Sequence, residues 1–336
     1  MTTRQPVVSI CIPTYNRVSL LKQAIDSVLG QRFEDYELIV SDNASTDDTT
    51  SLVNSYSDKR LRYSRNRRNV GVLKNFNHLF TLAKGEYITF FPDDDVMLPD
   101  NLAAKVDVLA RNPSVGLVHS KYDVIDGCGS VVKYNTNWGH GPDRAADNIE
   151  HGYDVLRTML LKYNIINLPT VVFRRECYER LGPFTNRLVM CFEWEYWMRI
   201  AACYDVGFLA KPLVKWRFHP DSITGRELLD EGNAFTPSGL QQVLVAKRLI
   251  IKNRLHPFTV DGDLKRQSWE RMTCQISDGV EMMLRTQAPN LRAVLFILKI
   301  CCGVPEMLQR KRIWKLLIKS TLSPRYVAAL RRISPI

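Results

Sequence analysis

The chain has 336 residues, 45% hydrophobic and 24% charged, which excludes a disordered segment or a single minimal domain and predicts one large domain with an appendage. The formal net charge is +11, but its excess lies at the end: no acidic residue follows Glu306, against Arg310, Lys311, Arg312, Lys315, Lys319, Arg325, Arg331 and Arg332. No aromatic-basic module accompanies that charge, which sets nucleic acid aside.

The N-terminus "MTTRQPVVSICIP" has no basic stretch followed by a long apolar core, and the longest apolar run, "AVLFIL" at 293–298, stops at Lys299. Neither a cleaved leader nor a spanning helix is expected, and the chain reads as cytoplasmic. The eight cysteines lack CxxC spacing, which predicts reduced thiols in place of a disulfide framework or zinc site.

Up to about residue 120, short β-branched or aromatic runs alternate with helical periodicity. The order is "VVSICI", a helix from about Ser19 to Leu29, "YELIV", a helix after Asp47, "RLRYS", a helix from about Val72 to Ala83, then "EYITFF". Such alternation predicts an α/β fold with a mostly parallel sheet covered by helices. Ligands of these sheets bind at the carboxyl ends of the strands. The polar clusters "PTYNR" at 13–17, "SDNASTDD" at 41–48 and "PDDD" at 92–95 all follow expected strands, so three loops should converge on one rim.

Beyond residue 120, "VGLVHSKYDVID" and "GSVVKY" read as a strand pair, "PTVVFRR" as a strand and "FEWEYWMRIAACY" as an amphipathic helix, while 206–218 suggests two more short strands. Breakers in "TGRELLDEGNAFTPSG" put a boundary near 225–237, dividing the chain into units 1–225 and 226–336. From 238 on, 238–255, 263–286, 290–302, 305–321 and 324–332 all read as helix.

Asp93, Asp94 and Asp95 follow an apolar strand directly. Two carboxylates held about 5 Å apart repel by roughly 3 kcal/mol at an effective dielectric near 20, so something positive should sit there. Hard oxygen ligands at this spacing suit Mg²⁺ or Mn²⁺, whose shell is completed by water and substrate phosphates. The competing reading is a solvated turn capping the helix that starts near Pro99.

The ordered set "SICIPTYNR", "ELIVSDNASTDDT", "NVG" and "GEYITFFPDDD" resembles the family 2 glycosyltransferases, nucleotide-sugar enzymes of the GT-A fold, over about residues 7 to 220. The resemblance implies an inverting, metal-dependent transfer of a sugar from a nucleoside diphosphate, expected to be UDP-linked, using Mn²⁺ or Mg²⁺. The implied acceptor is a hydroxyl of a saccharide or lipid-linked saccharide, in the synthesis of a surface polysaccharide. It places Pro13, Thr14 and Asn16 along the nucleotide pocket and Asp42 on the base. Lys74 supplies a cation for base or phosphate, Asp93 faces the ribose or metal, Asp94 belongs to the substrate-binding set, and Asp95 is the chief metal carboxylate with Asp93 as a second. Pro92 stands where the commoner pattern has an Asp.

"LGPFTNRLVMCFEWEYWMRI", 181–200, resembles the family's acceptor-side motif, with Glu193 as general base, Glu195 as its rival and Trp194 as a face for the acceptor sugar. "VKWRFHPDS", 214–222, resembles a late segment in which an Arg or His approaches the diphosphate or metal, which points to His219. A non-catalytic nucleotide-sugar-binding protein is the alternative if Glu193 is no base. In the tail, 305–322 read as one helix puts Met307, Leu308, Trp314, Leu317, Ile318 and Thr321 near one face with basic residues flanking it, a pattern that suits peripheral docking on an anionic membrane at its inner face as well as a packed surface helix.

Overall fold

Strand β1 (Val8–Thr14) is buried along almost its whole length, and β2 (Tyr36–Asp42) is buried throughout. Continuous burial of this kind belongs to parallel strands covered on both faces. The computed structural model describes residues 5–137, 144–188, 190–220, 222, 237–252, 258–285, 297–298, 300–302 and 304–321. Among them, β3 (Leu61–Arg65), β2, β1 and β4 (Tyr87–Phe90) run parallel in that order. Next comes β9 (Val172–Arg174), antiparallel to both neighbours, then β6 (Val115–Ile125), and then β10 (Asp205–Arg217) parallel to β6. β5 (Val96–Met97) closes the order, with β7 (Val131–Thr136) on β6 and β8 (Asn148–Glu150) on β10. Two reversals across β9 leave β10 pointing the same way as β4, so the carboxyl ends of β1, β2, β4 and β10 share one edge.

Side chains of a strand alternate between faces, and the two faces here are dressed differently. Ile10, Ile12, Leu38 and Val40 pack with Leu21, Ala24, Ile25 and Val28 of α1 (Val18–Leu29) and with Leu102 and Leu109 of α4 (Asn101–Arg111). The opposite layer is aromatic: Phe90 and Phe173 meet Phe76 and Phe80 of α3 (Val72–Leu82) and Tyr196 of α7 (Phe192–Ala201), with ring centroids 4.7 to 6.2 Å apart. Gly85, just before β4, lies so close to β1 that a Cβ there would meet the Ser9 nitrogen at 2.5 Å.

The expected strands and the helices α1, α3 and α7 are present, as is the hairpin of β6 and β7. The stretch 206–218 differs from the expectation of two short strands: β10 is one strand whose pairing with β6 is irregular around Pro212. Proline removes a ladder donor without forcing the chain to turn. Contacts divide the chain into two compact units, Met1–Arg226 with Leu255–Phe258, and Glu227–Arg254 with Thr259–Ile336. In the second, helices run over Pro237–Ile251 and Gly262–Arg285, and 297–298 with 300–302 are helical. The single helix expected over 305–321 is instead a 3₁₀ turn, Pro305–Gln309, and a helix, Lys311–Thr321, separated by extended Arg310. The helix expected at 324–332 lies outside the described residues. No described helix is long and apolar enough to cross a membrane.

Candidate active site

The first two loops are stapled together by their own polar groups. The Asn16 amide donates to Ser45 Oγ at 2.9 Å, Thr46 N to Asn16 Oδ1 at 2.7 Å and Val18 N to Asp47 Oδ2 at 3.0 Å, while Asn43 N donates to the Thr14 carbonyl at 2.9 Å. Asn16 and Ala44 take left-handed φ values of 53° and 66° to make these turns. Asparagine tolerates that region and alanine does not. Ala44→Gly therefore raises stability by about 0.5–1 kcal/mol, the strain removed less the extra chain entropy of glycine, and a thermal melt reads it as a small upward shift.

Asp42 ends β2 fully buried. Its Oδ1 accepts from Ser45 N at 2.7 Å, and its Oδ2 accepts from Tyr63 Oη at 2.6 Å and Arg65 Nε at 3.1 Å. Three of its acceptor positions are thus occupied from within the protein, so Asp42 anchors the loop, as an Asx turn does. Asn43 extends the same network to Asn69 (2.8 Å) and Val70 N (2.9 Å) ahead of α3. Lys74, on the first turn of α3, is exposed.

The acidic rim is buried, with Asp93, Asp94 and Asp95 exposed by 5%, 8% and 1%, and its countercharge comes from distant parts of the chain. Thr14 Oγ1 donates to Asp93 Oδ2 at 2.7 Å. The Arg17 guanidinium bridges Asp93 Oδ1 at 3.1 Å and Asp94 Oδ2 at 2.9 Å. On the other side, His219 Nε2 lies 3.1 Å from Asp94 Oδ2. Arg217 N donates to Asp95 Oδ1 at 2.7 Å, while its side chain binds the Asp94 carbonyl at 2.7 Å and Gln23 Oε1 at 2.8 Å. Burial, then the neighbouring Asp94 charge, raises the Asp93 carboxyl to about 6 and holds Asp95 well above the usual carboxylate range.

Among the described residues, Asp95 Oδ2 is buried and has no hydrogen-bond partner. An orphaned carboxylate oxygen is destabilising by about 1–3 kcal/mol, and a cation would relieve it. Among the described residues no group of three or more His, Cys, Asp or Glu side chains forms a metal cage. The arrangement suits instead a cation taking one or two protein carboxylates and finding its other ligands elsewhere. Asp95 Oδ2 is the open donor such a cation would take, while Asp94 Oδ2 is already met by Arg17 at 2.9 Å and His219 at 3.1 Å.

Glu193 sits in the first turn of α7, behind Cys191 at φ 58°. The start of this helix is tied to the strand bearing the rim: Phe192 packs tilted against Phe76 at 5.3 Å and edge-on against Phe184 at 5.0 Å, and both of those rings meet Phe90, at 5.4 and 5.2 Å. Phe90 is three residues ahead of Asp93. Burial raises the Glu193 carboxyl to about 7, against a lowering by a backbone hydrogen bond. The rival Glu195 is taken, paired with Arg199 at 3.0 Å. Trp194 is 4% exposed and Trp197 fully buried, so neither presents an open ring face to a sugar.

Charge balance calls for a cation at the rim, but local pattern does not single out Arg17 or Arg217 as its source. Arg17 follows a strand in "PTYNR" and its one available signal is the charge imbalance itself, whereas Arg217 lies in "VKWRFHPDS", whose resemblance offers an Arg or His near the diphosphate or metal without saying which.

Residues 9–171 match the family model described as Glycosyl transferase family 2. Over 117 residues the chain is 42% identical to a GalNAc(5)-diNAcBac-PP-undecaprenol beta-1,3-glucosyltransferase of Campylobacter jejuni, covering 34% of this chain and 37% of that one. The fold resembles S. aureus TarS 1-349, solved in complex with UDP-GlcNAc, with TM-score 0.63, 18% identity and coverage of 89% and 82% of the two chains. It also resembles the mannosyltransferase PcManGT of Pyrobaculum calidifontis, solved with GDP-Man and Mn2+, with TM-score 0.53, 20% identity and coverage of 99% and 82%.

Proposed function

We propose a reaction from one premise: the chain belongs to glycosyl transferase family 2, has a GT-A fold and is a glycosyltransferase. In the proposed reaction a sugar moves with inversion from a nucleoside diphosphate, UDP-linked in the first instance, to a hydroxyl of a saccharide or lipid-linked saccharide in the assembly of a surface polysaccharide. The observation that carries this reading is the buried Asp93–Asp95 rim, countercharged by Arg17, contacted by His219 and holding, among the described residues, one orphaned carboxylate oxygen.

A divalent cation, Mn²⁺ or Mg²⁺, bound through Asp95 would supply Lewis-acid stabilisation of the departing diphosphate. His219 contacts the neighbouring Asp94 at 3.1 Å. Thr14 and Arg17 fix Asp93, which leaves Asp93 as a positioned acceptor for a ribose hydroxyl and Arg17 as a cation within reach of phosphate oxygens. Pro13 and Asn16 shape the loop under the nucleotide, the anchored Asp42 and Asn43 hold the base side of the pocket, and exposed Lys74 is free to follow the donor. Glu193 removes the acceptor proton. A half-buried carboxyl raised to about 7 suits that task, because a hydroxyl of far higher pKa is then met by a carboxylate that binds protons well. Trp194 acts as packing behind the base.

A thermal-shift panel of UDP-, GDP- and dTDP-sugars, each with Mn²⁺ and with EDTA, tests the reading. The expected result is one sugar nucleotide that raises the melting temperature only with metal and is consumed when a saccharide acceptor is added. If no sugar nucleotide shifts the melt under either condition, the reading is wrong. A metal-dependent shift without hydrolysis or transfer would favour a non-catalytic binder.

A further inference from the structure

We propose that the helix Lys311–Thr321 is a docking face for an anionic lipid bilayer, with Trp314 and Ile318 entering the interface and Lys311 and Lys315 pairing with headgroups. The proposal extends the reading above to the surface where a lipid-linked acceptor would be met, but it rests on this helix alone.

The helix has two apolar faces. Ile313 is fully buried and Leu316 is 5% exposed, and Met307 of the preceding turn is buried too. These side chains anchor the element in its own unit. Trp314 and Ile318, one turn apart, are 52% and 51% exposed, with Leu308 39% exposed. Trp314 Nε1 donates to the Leu308 carbonyl at 2.7 Å, which holds the indole beside Leu308 on the outside. At 100° per residue, Lys311 and Lys315 fall directly next to the row of Trp314 and Ile318, and both are exposed.

Charge decides what could cover such a face. Lysines at i and i+4 repel, and no acidic residue follows Glu306 in the sequence. Glu306 is itself taken: Arg248 binds it at 2.7 and 3.0 Å and Lys252 at 3.0 Å, which lowers its carboxyl to about 2. Arg312 is turned aside, donating to Ser277 Oγ at 3.0 Å. Among the described residues no carboxylate pairs with Lys311 or Lys315, so the outward face sets an apolar row beside a basic one. A bilayer carrying anionic headgroups offers both complements at once, and tryptophan favours the level where they meet.

The test is co-sedimentation of the full chain with phosphatidylcholine vesicles prepared with and without phosphatidylglycerol; no sugar donor is needed, so its outcome is separable from that of the transferase assay. Binding is expected only with phosphatidylglycerol, and it should weaken as salt is raised. The double variant Lys311→Gln, Lys315→Gln should bind about 25-fold more weakly, the effect of two basic residues at an anionic surface. Trp314→Ala should bind about tenfold more weakly through lost apolar burial. All the changed side chains are exposed, and wild-type melting curves verify the fold. The proposal is overturned if the wild type stays in the supernatant, if it binds pure phosphatidylcholine equally well, or if the lysine variant binds undiminished. Equal affinity for soluble polyglutamate would assign the face to an acidic protein and likewise overturn it.

Discussion

Glu193→Gln lowers the transfer rate by about 10²–10⁴-fold, the range associated with a positioned general base, while donor binding followed by thermal shift is retained. The substitution keeps the shape of a side chain in the first turn of α7 and removes only its ability to accept a proton. The same group predicts the pH profile. With the Glu193 carboxyl raised by burial to about 7, kcat/KM should fall close to tenfold per pH unit below that value and level off above it. The sign for stability is opposite. A carboxyl whose folded pKa exceeds its unfolded value favours the fold when protonated, so that contribution is present at low pH and is lost as pH rises through about 7. At pH 8, Glu193→Gln should therefore melt about 2–4 °C above the wild type, the shift expected for roughly 1 kcal/mol in a protein of this size. Undiminished transfer in this variant would remove Glu193 from the mechanism and return Glu195 to consideration, despite its pairing with Arg199.

Asp95→Asn gives the second large effect, a loss of metal-dependent transfer of about 10³-fold, corresponding to several kcal/mol of leaving-group stabilisation. Asparagine can still accept from Arg217 N through Oδ1, the bond seen at 2.7 Å, but carries no charge at the orphaned Oδ2 position. Direct titration with Mn²⁺, read by the electron paramagnetic resonance of the free ion, should show binding by the wild type with donor diphosphate and none by the variant. Because burial already penalises the ionised form of Asp95, the metal-free variant should melt no lower than the wild type. Activity and Mn²⁺ binding that survive the substitution would show that the rim holds no cation through this residue.

Much of this was legible in the sequence because strands and helices announce themselves by local periodicity. β1, β2 and β4 are short apolar runs ending in polar loops, and a parallel sheet must bring such loops to one edge. The Asp93–Asp95 cluster stood out for the same reason, as charge directly after a buried strand. What could not be read was the pairing of distant segments. Arg17 meets Asp93 across 76 positions and Arg217 meets Asp95 across 122, and no local pattern encodes such distances. β9 was expected as a strand, but its antiparallel insertion between β4 and β6 is a tertiary outcome. Asp42 shows a different limit. Its place at a strand end was evident, but its saturation by Ser45, Tyr63 and Arg65 depends on β3 lying alongside β2.

The reach of β10 to the rim has a consequence for how this protein comes into being. During synthesis the three aspartates emerge from the ribosome more than a hundred residues before Arg217 and His219, so for that interval the nascent chain carries the acidic cluster without half of its restraints. With a divalent cation at the rim as proposed, its capture by ribosome-bound intermediates would appear only after β10 has been released and has joined the sheet, a late milestone of folding.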